Sequence, residues 1–213
     1  MTSLKSMELL DIHTHNTEHD YRTAILNCKR YSAERNISTG IHPWDITDEW
    51  EQTFAVIRQT ARHENVKAIG ECGIDKLKSA APLTLQQEVF KAHAMLAEEV
   101  RKPLIIHCVK GFDEIIAIHK KTLPQQAWII HGFRGKPQQA EQLLKAGFYL
   151  SFGEKFNMES LKAMPLERLF VESDESNIGI YEIYSIIAQT KGCSMEELAI
   201  AVRKNAANCN IIL

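Results

Sequence analysis

Eight short apolar runs, each closing on polar residues, recur along this 213-residue chain and limit the folds open to it more than any other feature. In order they are "ELLDIHTH", "TAILNC", "ISTGIHPWD", "VKAIGECGID", "PLIIHCVKG", "AWIIHGFRG", "FYLSFGE" and "RLFVESDE". Near-continuous apolar runs of this length read as parallel strands buried on both faces. Helical segments follow the later ones. "DEWEQTFAVIRQTARHE" comes after the third, with Thr47 or Asp48 expected as its N-cap, and "TLQQEVFKAHAMLAEEVRK" after the fourth, with Thr84 expected to cap. "FDEIIAIHKKTL", "KPQQAEQLLKAG" and "NMESLKAMP" follow the next three, the second ending on Gly147 as a left-handed stop. "IYEIYSIIAQTKG" and "SMEELAIAVRKNAANCN" close the chain, the latter opening on Ser194 and Glu197 as a capping box.

Strands alternating with helices predict an α/β fold, a (β/α)₈ TIM barrel in a single domain over residues 1–213, with an extra C-terminal helix. A doubly wound open sheet satisfies the same alternation. Two connections are abbreviated: only residues 16–23 separate His15 from Ala24, and a similarly short polar stretch separates Cys28 from Ile37. A parallel crossover that contains a helix needs about a dozen residues. These connections are therefore expected to be loops or single turns. The outer faces of strands one to three then need another cover, either the extra C-terminal helix or a second copy in a homodimer.

The composition, 45% hydrophobic and 24% charged with a formal charge of −2, is that of a globular chain and excludes the global basic field of a non-specific DNA coat protein. Five cysteines without a CxxC pair point to reduced thiols in the cytoplasm rather than to a disulfide framework or a structural zinc site. "MTSLKSMELL" lacks an apolar stretch of signal-peptide length, and no apolar run is long enough to span a membrane.

In a strand, His13 and His15 project from the same face, their Cα atoms about 6.5–7 Å apart. Alone, such a pair is ordinary surface chemistry. In a barrel, however, every strand's carboxyl end meets at one mouth. Those ends carry His13 and His15, His42, Glu71 and Asp75, His107, His131, and Glu172 with Asp174. His19, His63, His93 and His119 fall in loops or helices and read as structural or solvent-facing. So many imidazoles and carboxylates gathered in one place are expensive to desolvate unless a cation organises them. Imidazole with carboxylate suits divalent ions such as zinc, manganese or magnesium, and one carboxylate can bridge two of them about 3.5–4 Å apart.

The segments "DIHTH", "GIHPW", "AIGECGID", "LQQEVFKAHAMLAEEVRKPLIIHC", "IIHGFRGKPQQAEQLLKAGFYLSFG", "VESD" and "MEELAIAVRKNAANC", taken in order, resemble the TatD-related metal-dependent deoxyribonuclease family of the amidohydrolase-like barrel superfamily. The resemblance covers nearly the whole chain. It implies one metal ion held by His13, His15, Glu71 and Asp174, and a second held by His107 and His131, with Glu71 as the bridge. Every one of these positions carries the expected residue type. It also implies hydrolysis of a phosphodiester by a metal-activated water, with Asp174 as general base and Glu71 setting the metal spacing.

The chain departs from the family's pattern on the substrate side. Cys108, Val109 and Lys110 stand where an arginine and an acidic residue usually follow the fifth-strand histidine. Glu172, Ser173, Asp174, Glu175 and Ser176 lack the usual proline, and the loop that normally follows is short. These departures motivate an alternative reading: a deacylase, esterase or lactonase acting on a substrate that is not nucleic acid. Against it stand Lys76, Lys78, Lys110, Arg134, Lys136 and Lys155, which follow the strand ends and favour an anionic substrate, DNA foremost. His42 and Asp75 are placed to touch substrate or to support the metal ligands. Trp44, beside His42, is placed either to stack on a base or to pack at the rim.

Overall fold

The computed structural model describes residues 8–18, 22–28 and 31–213; His19 and the first seven residues, which hold most of the N-terminal stretch read above, lie outside the described residues. Eight parallel strands, β1 (Asp11–Thr14), β2 (Ala24–Asn27), β3 (Ile37–Thr39), β4 (Val66–Asp75), β5 (Leu104–Val109), β6 (Trp128–Ile130), β7 (Tyr149–Phe152) and β8 (Leu169–Val171), pair in chain order. A doubly wound sheet would reverse its strand order at a switch point; this one does not. It curls until β8 returns to β1, where Thr14 and Asp174 form a parallel bridge, giving a nearly closed barrel. Helices α1 (Trp50–Thr60), α2 (Leu83–Val100), α3 (Phe112–Thr122), α4 (Pro137–Lys145), α5 (Met158–Ala163), α6 (Ile180–Lys191) and α7 (Met195–Asn208) follow the later strands. No helix of the described residues is long and apolar enough to cross a membrane.

The two short connections contain no helix among the described residues. The cover over strands one to three has two sources. On β1 it is C-terminal: the Tyr184 hydroxyl of α6 donates to Leu10 O at 2.8 Å, and Arg203 of α7 donates to Glu8 O at 3.3 Å. On β2 and β3 it is local. Leu26, Ile37 and Val66 form a small second cluster, and the segment after β2 is tied to the start of β4 by Asn65 Nδ2, which donates to Ser32 O and to Arg35 O. Tyr31 and His63 stack above them with ring centroids 4.3 Å apart.

Helix starts differ from expectation in two places. α1 begins at Trp50, with Glu49 in the cap position and neither Thr47 nor Asp48 capping through its side chain; Trp50 N donates to Thr47 O instead. α2 begins at Leu83, so Thr84 lies inside the first turn. Pro82 decides this: its carbonyl accepts from Gln86 N at 3.0 Å, and its own missing N–H costs the helix nothing there. The capping box of α7 forms as expected, with Glu197 N donating to Ser194 Oγ at 3.1 Å and Ser194 N to Glu197 Oε2 at 2.8 Å. Gly147, just past α4, takes φ +95°, a conformation open to it because it lacks Cβ.

The seam between β1 and β8 is pinned from inside. Asp11, at the start of β1, accepts from Ser173 N at 2.9 Å and from Ser173 Oγ at 2.6 Å, and Ser173 Oγ also lies 2.8 Å from Thr14 Oγ1. All three residues are buried. Asp11→Ala removes both acceptors at once and leaves a buried N–H unsatisfied. It should lower the unfolding free energy by about 2 kcal/mol, measured as a fall in the urea midpoint at constant m.

Candidate metal centre

Glu71 stands at the middle of the mouth with its two oxygens facing different histidines. Oε2 lies 3.4 Å from His13 Nε2 and 3.4 Å from His15 Nε2; Asp174 Oδ1 lies 3.8 and 3.7 Å from the same two nitrogens. Oε1 lies 2.8 Å from His131 Nε2, 2.9 Å from His107 Nδ1 and 3.2 Å from His42 Nε2. The ligand atoms of His13, His15 and Asp174 fall within 4.8 Å of one another, as do those of His42, Glu71 and His107, of His13, Glu71 and His131, and of His131, Glu172 and Asp174. Segments separated by more than a hundred residues in the sequence thus meet around one carboxylate.

Local backbone chemistry puts them there. β4 and β5 approach so closely that a Cβ on Gly73 would lie 1.9 Å from His107 O, and one on Gly70 would lie 2.3 Å from Ile105 O. Only glycine fits either place, and Glu71 sits between them. Asn27, at the end of β2, clasps Glu71 from the other side: Glu71 N donates to Asn27 Oδ1 at 3.3 Å, and Asn27 Nδ2 donates to Glu71 Oε2 at 3.2 Å. Asp174 takes φ +52°, a left-handed conformation unusual for a residue with a side chain. Two backbone bonds to β1 hold it: Asp174 N donates to His13 O and His15 N donates to Asp174 O, both at 3.0 Å.

The donor set fits divalent cations. His13 is fully buried, and neither of its ring nitrogens has a hydrogen-bond partner; Glu172 Oε2 is likewise buried and unpartnered. Orphaned polar atoms of this kind cost free energy unless something else takes their lone pairs. Burial pushes the Glu71 carboxyl up, yet His131, His107 and His13 outweigh it and hold the group well below the usual carboxylate range. For His131, burial works against the imidazolium, but Glu71 and Glu172 prevail and raise it well above the usual value. The two directions describe a carboxylate and an imidazole that each hold the other in its charged form. Imidazole and carboxylate together accept zinc, manganese and related ions.

Further carboxylates orient the histidines. Asp75 Oδ2 accepts from Trp44 Nε1 at 2.7 Å and lies 3.1 Å from His107 Nε2, while its Oδ1 accepts from Leu77 N and Lys78 N. Burial alone would raise the Asp75 carboxyl; these donors lower it to about 2. With a cation in place, an ionised acceptor on Nε2 would hold the proton there and free the Nδ1 lone pair of His107 for the ion. Glu172 does the same for His131, its Oε1 lying 3.3 Å from Nδ1. His93, on α2, is a buried core histidine, accepting from Ile41 N at 3.0 Å and bonded to Val89 O at 2.8 Å; burial pushes it down to about 4 and keeps it neutral. It thereby steadies the segment that carries His42.

Beside the cluster opens a cavity of about 730 Å³, bounded by His107, His131, Glu172 and Asp174 on the metal side and by Lys78, Lys110, Arg134, Lys136 and Lys155 on its walls. Lys76, expected at the mouth, instead pairs with Glu114 in the first turn of α3 and is absent from the cavity wall. His42 and Asp75, expected to touch substrate or support the ligands, face Glu71 and His107 respectively. The supporting roles of Asn27, Glu172 and Trp44 were not assigned from the sequence. The one available signal was position, since each ends or follows a strand.

The TatD related DNase family matches residues 5–209 of the chain. A metal-dependent hydrolase of Bacillus subtilis (strain 168), YabD, is 34% identical over 78% of this chain and 74% of its own length. A protein of Erwinia tasmaniensis named 3'-5' ssDNA/RNA exonuclease TatD is 30% identical over 64% of this chain and 56% of its own length. Among solved structures, the TatD homologue YjjV of Escherichia coli K12 superposes with a TM-score of 0.70 at 19% identity, over 81% of this chain and 76% of that one, and so shares the fold.

Titrating metal-free protein with Mn²⁺ or Zn²⁺ should raise Tm, by the equivalent of about 2.7 kcal/mol when free ion reaches a hundred times Kd. Glu71→Gln should remove most of that rise, and a Tm indifferent to either ion would refute the cation site. Glu172→Ala, which frees His131 to rotate, should weaken metal affinity by about 10-fold to 100-fold in equilibrium dialysis.

Proposed function

The chain belongs to the TatD related DNase family and is a metal-dependent hydrolase, and from that premise we propose that it is a deoxyribonuclease that hydrolyses phosphodiesters from DNA ends. The cavity carries this reading. It abuts the candidate metal cluster, and its walls present Lys110, Arg134, Lys136 and Lys155 to whatever binds there. Glu154 and Glu175 share the wall, and the lysines and arginine between them give a phosphate chain partners that a neutral ester has no use for. The name of the Erwinia relative, a 3'-5' exonuclease of single-stranded DNA and RNA, favours action at ends.

His13, His15, Glu71 and Asp174 would hold one divalent ion, and Glu71, His107 and His131 a second; the histidine-rich set favours zinc or manganese over magnesium. His42 Nε2, as near to Glu71 Oε1 as the geometry above describes, is a further ligand candidate. Bound divalent ions lower the pKa of water and neutralise charge on phosphodiester oxygens. The chain supplies the rest. Asp174, partly exposed at the edge of the cavity, accepts the proton of the attacking water as the new P–O bond forms. It returns that proton to the leaving oxygen as the old P–O bond breaks. Glu71 fixes the distance between the two halves of the site. Lys110 and Arg134 hold the non-reacting phosphate oxygens, and Asp75 and Glu172 keep His107 and His131 from turning.

A second reading, deacylation or ester and lactone hydrolysis, draws on the apolar part of the same wall, where Leu77, Val109, Phe112 and Phe133 lie. A chromogenic panel of phosphodiester, ester and amide substrates separates the two. Metal-loaded protein should release nucleotides from labelled single-stranded oligonucleotides, and Asp174→Asn or Glu71→Ala should reduce kcat by about 10²-fold to 10⁴-fold. DNA and RNA left intact by metal-loaded protein, alongside turnover of an ester or amide, would reverse the choice.

A further inference from the structure

We propose that the open face of Trp44 is the seat for the nucleobase attached to the scissile phosphate, with Lys78 as its mobile cationic partner; this rests on the nuclease reading above. Trp44 is 47% exposed, an ordinary loss for a small side chain and a large one for indole. It is also the only exposed aromatic among the described residues that line the cavity: Phe133 is buried, and Phe112 packs partly buried against the core.

Exposure here does not bring freedom. Trp44 sits in a 3-10 turn (Pro43–Asp45) opened by His42, whose Nδ1 accepts from Trp44 N at 3.2 Å. Its indole N–H is fixed on Asp75 Oδ2, and its ring meets His42 edge-on at 4.5 Å between centroids and His107 at 5.8 Å. Backbone N–H and ring N–H are each tied down and the ring packs at right angles to two histidines, so the one contact recorded over its face is the ammonium of Lys78. A platform immobilised before binding loses little entropy when a ligand arrives. Both flanking histidines face Glu71, so a base on that platform hangs from a sugar whose phosphate lies at the candidate metal cluster.

Lys78 Nζ lies 4.7 Å from the ring centroid, and its backbone N is held by Asp75 Oδ1 at 2.9 Å. Its stem is flexible and its head points into the cavity wall. Base–indole stacking outweighs an exposed cation–π contact. An arriving base therefore displaces the ammonium, which remains close enough to meet the phosphate that comes with it. Every base has a π-face, so the seat is tolerant of sequence and selective for unpaired, unstacked nucleotides over duplex. It equally disfavours phosphodiesters that carry no ring.

The test uses the metal-loaded chain with Asp174→Asn to suppress turnover, and two labelled probes of equal length and charge: a short oligothymidylate, and its counterpart built from 1,2-dideoxyribose phosphate without bases. The oligothymidylate should bind about 10-fold more tightly, as expected for one stacked base. Adding Trp44→Ala should erase that difference, while Trp44→Phe, which keeps a ring but loses the N–H to Asp75, should retain most of it. Loss of the Asp75 contact alone would weaken both probes equally in Trp44→Phe and Trp44→Ala, so the base-dependent difference isolates stacking from positioning. Equal affinities with Trp44 intact, or a base preference that survives Trp44→Ala, overturns the seat while leaving the nuclease reading in place. Failure of either probe to bind, together with intact oligonucleotides in the wild-type assay, overturns the nuclease reading itself and the seat with it.

Discussion

A single buried carboxylate organises this molecule. Glu71 is nearly inaccessible to water, and burial by itself opposes its ionisation; the histidines on its two sides are what keep it charged. Their own proximity is costly in turn, because several imidazoles crowd one anion and neither ring nitrogen of His13 has a hydrogen-bond partner. Divalent cations resolve both difficulties together, and few other species could. The glycines at 70 and 73, the Asn27 clasp and the tight approach of β4 to β5 are all means of holding that one side chain where two sets of nitrogens can share it.

Fold and site are coupled most directly at the seam. The backbone bonds that bring β8 back to β1 are made by Asp174 with His13 and His15, three of the residues that face one another across the cluster. Ser173 and Asp11 lock the seam one layer below. The left-handed backbone at Asp174 stores strain of order 1–3 kcal/mol, tolerable only because the surrounding pairing over-determines it. The barrel is closed by the same short segment that delivers the Asp174 carboxylate, so loosening the closure also moves that carboxylate away from His13 and His15.

The strands, the barrel and the gathering of histidines and carboxylates were legible because each rests on local pattern: apolar runs of strand length, polar residues at their ends, and a topology that brings those ends together. Partners were not. Asp75 reads in "GIDK" as a substrate contact or a support for the metal ligands, and only the structure shows Trp44, from a different turn, donating to it and His107 beside it. Glu172 reads as one more carboxylate at a strand end, with no role, until His131 comes within reach, and Lys76 looks like a mouth cation until the first turn of α3 supplies Glu114. Helix starts failed for a related reason. Thr84 has the right side chain for a cap, but Pro82 had already set the backbone two residues earlier. Residue type is local information; which group answers it across 30 or 40 positions is set by register, which a single sequence records only indirectly.

The barrel's two halves divide the work unequally. Between β1 and β3 the connections are too short for helices, and what these strands contribute to the mouth is compact: His13, His15, Asn27 and His42, turned inward on Glu71, with Trp44 at the edge of the cavity. From β4 to β8 the longer loops supply the walls of the cavity and its lysines and arginine. His107 and His131 belong to both, each facing Glu71 on one side and the cavity on the other, and Asp174 joins the cluster to the cavity at its edge. This asymmetry explains why departures from the family's pattern cluster after β5 and β8. Cys108 and Val109 lie on the cavity wall and are not among the side chains that meet Glu71, so a change there alters the wall while leaving the nitrogens around Glu71 in place.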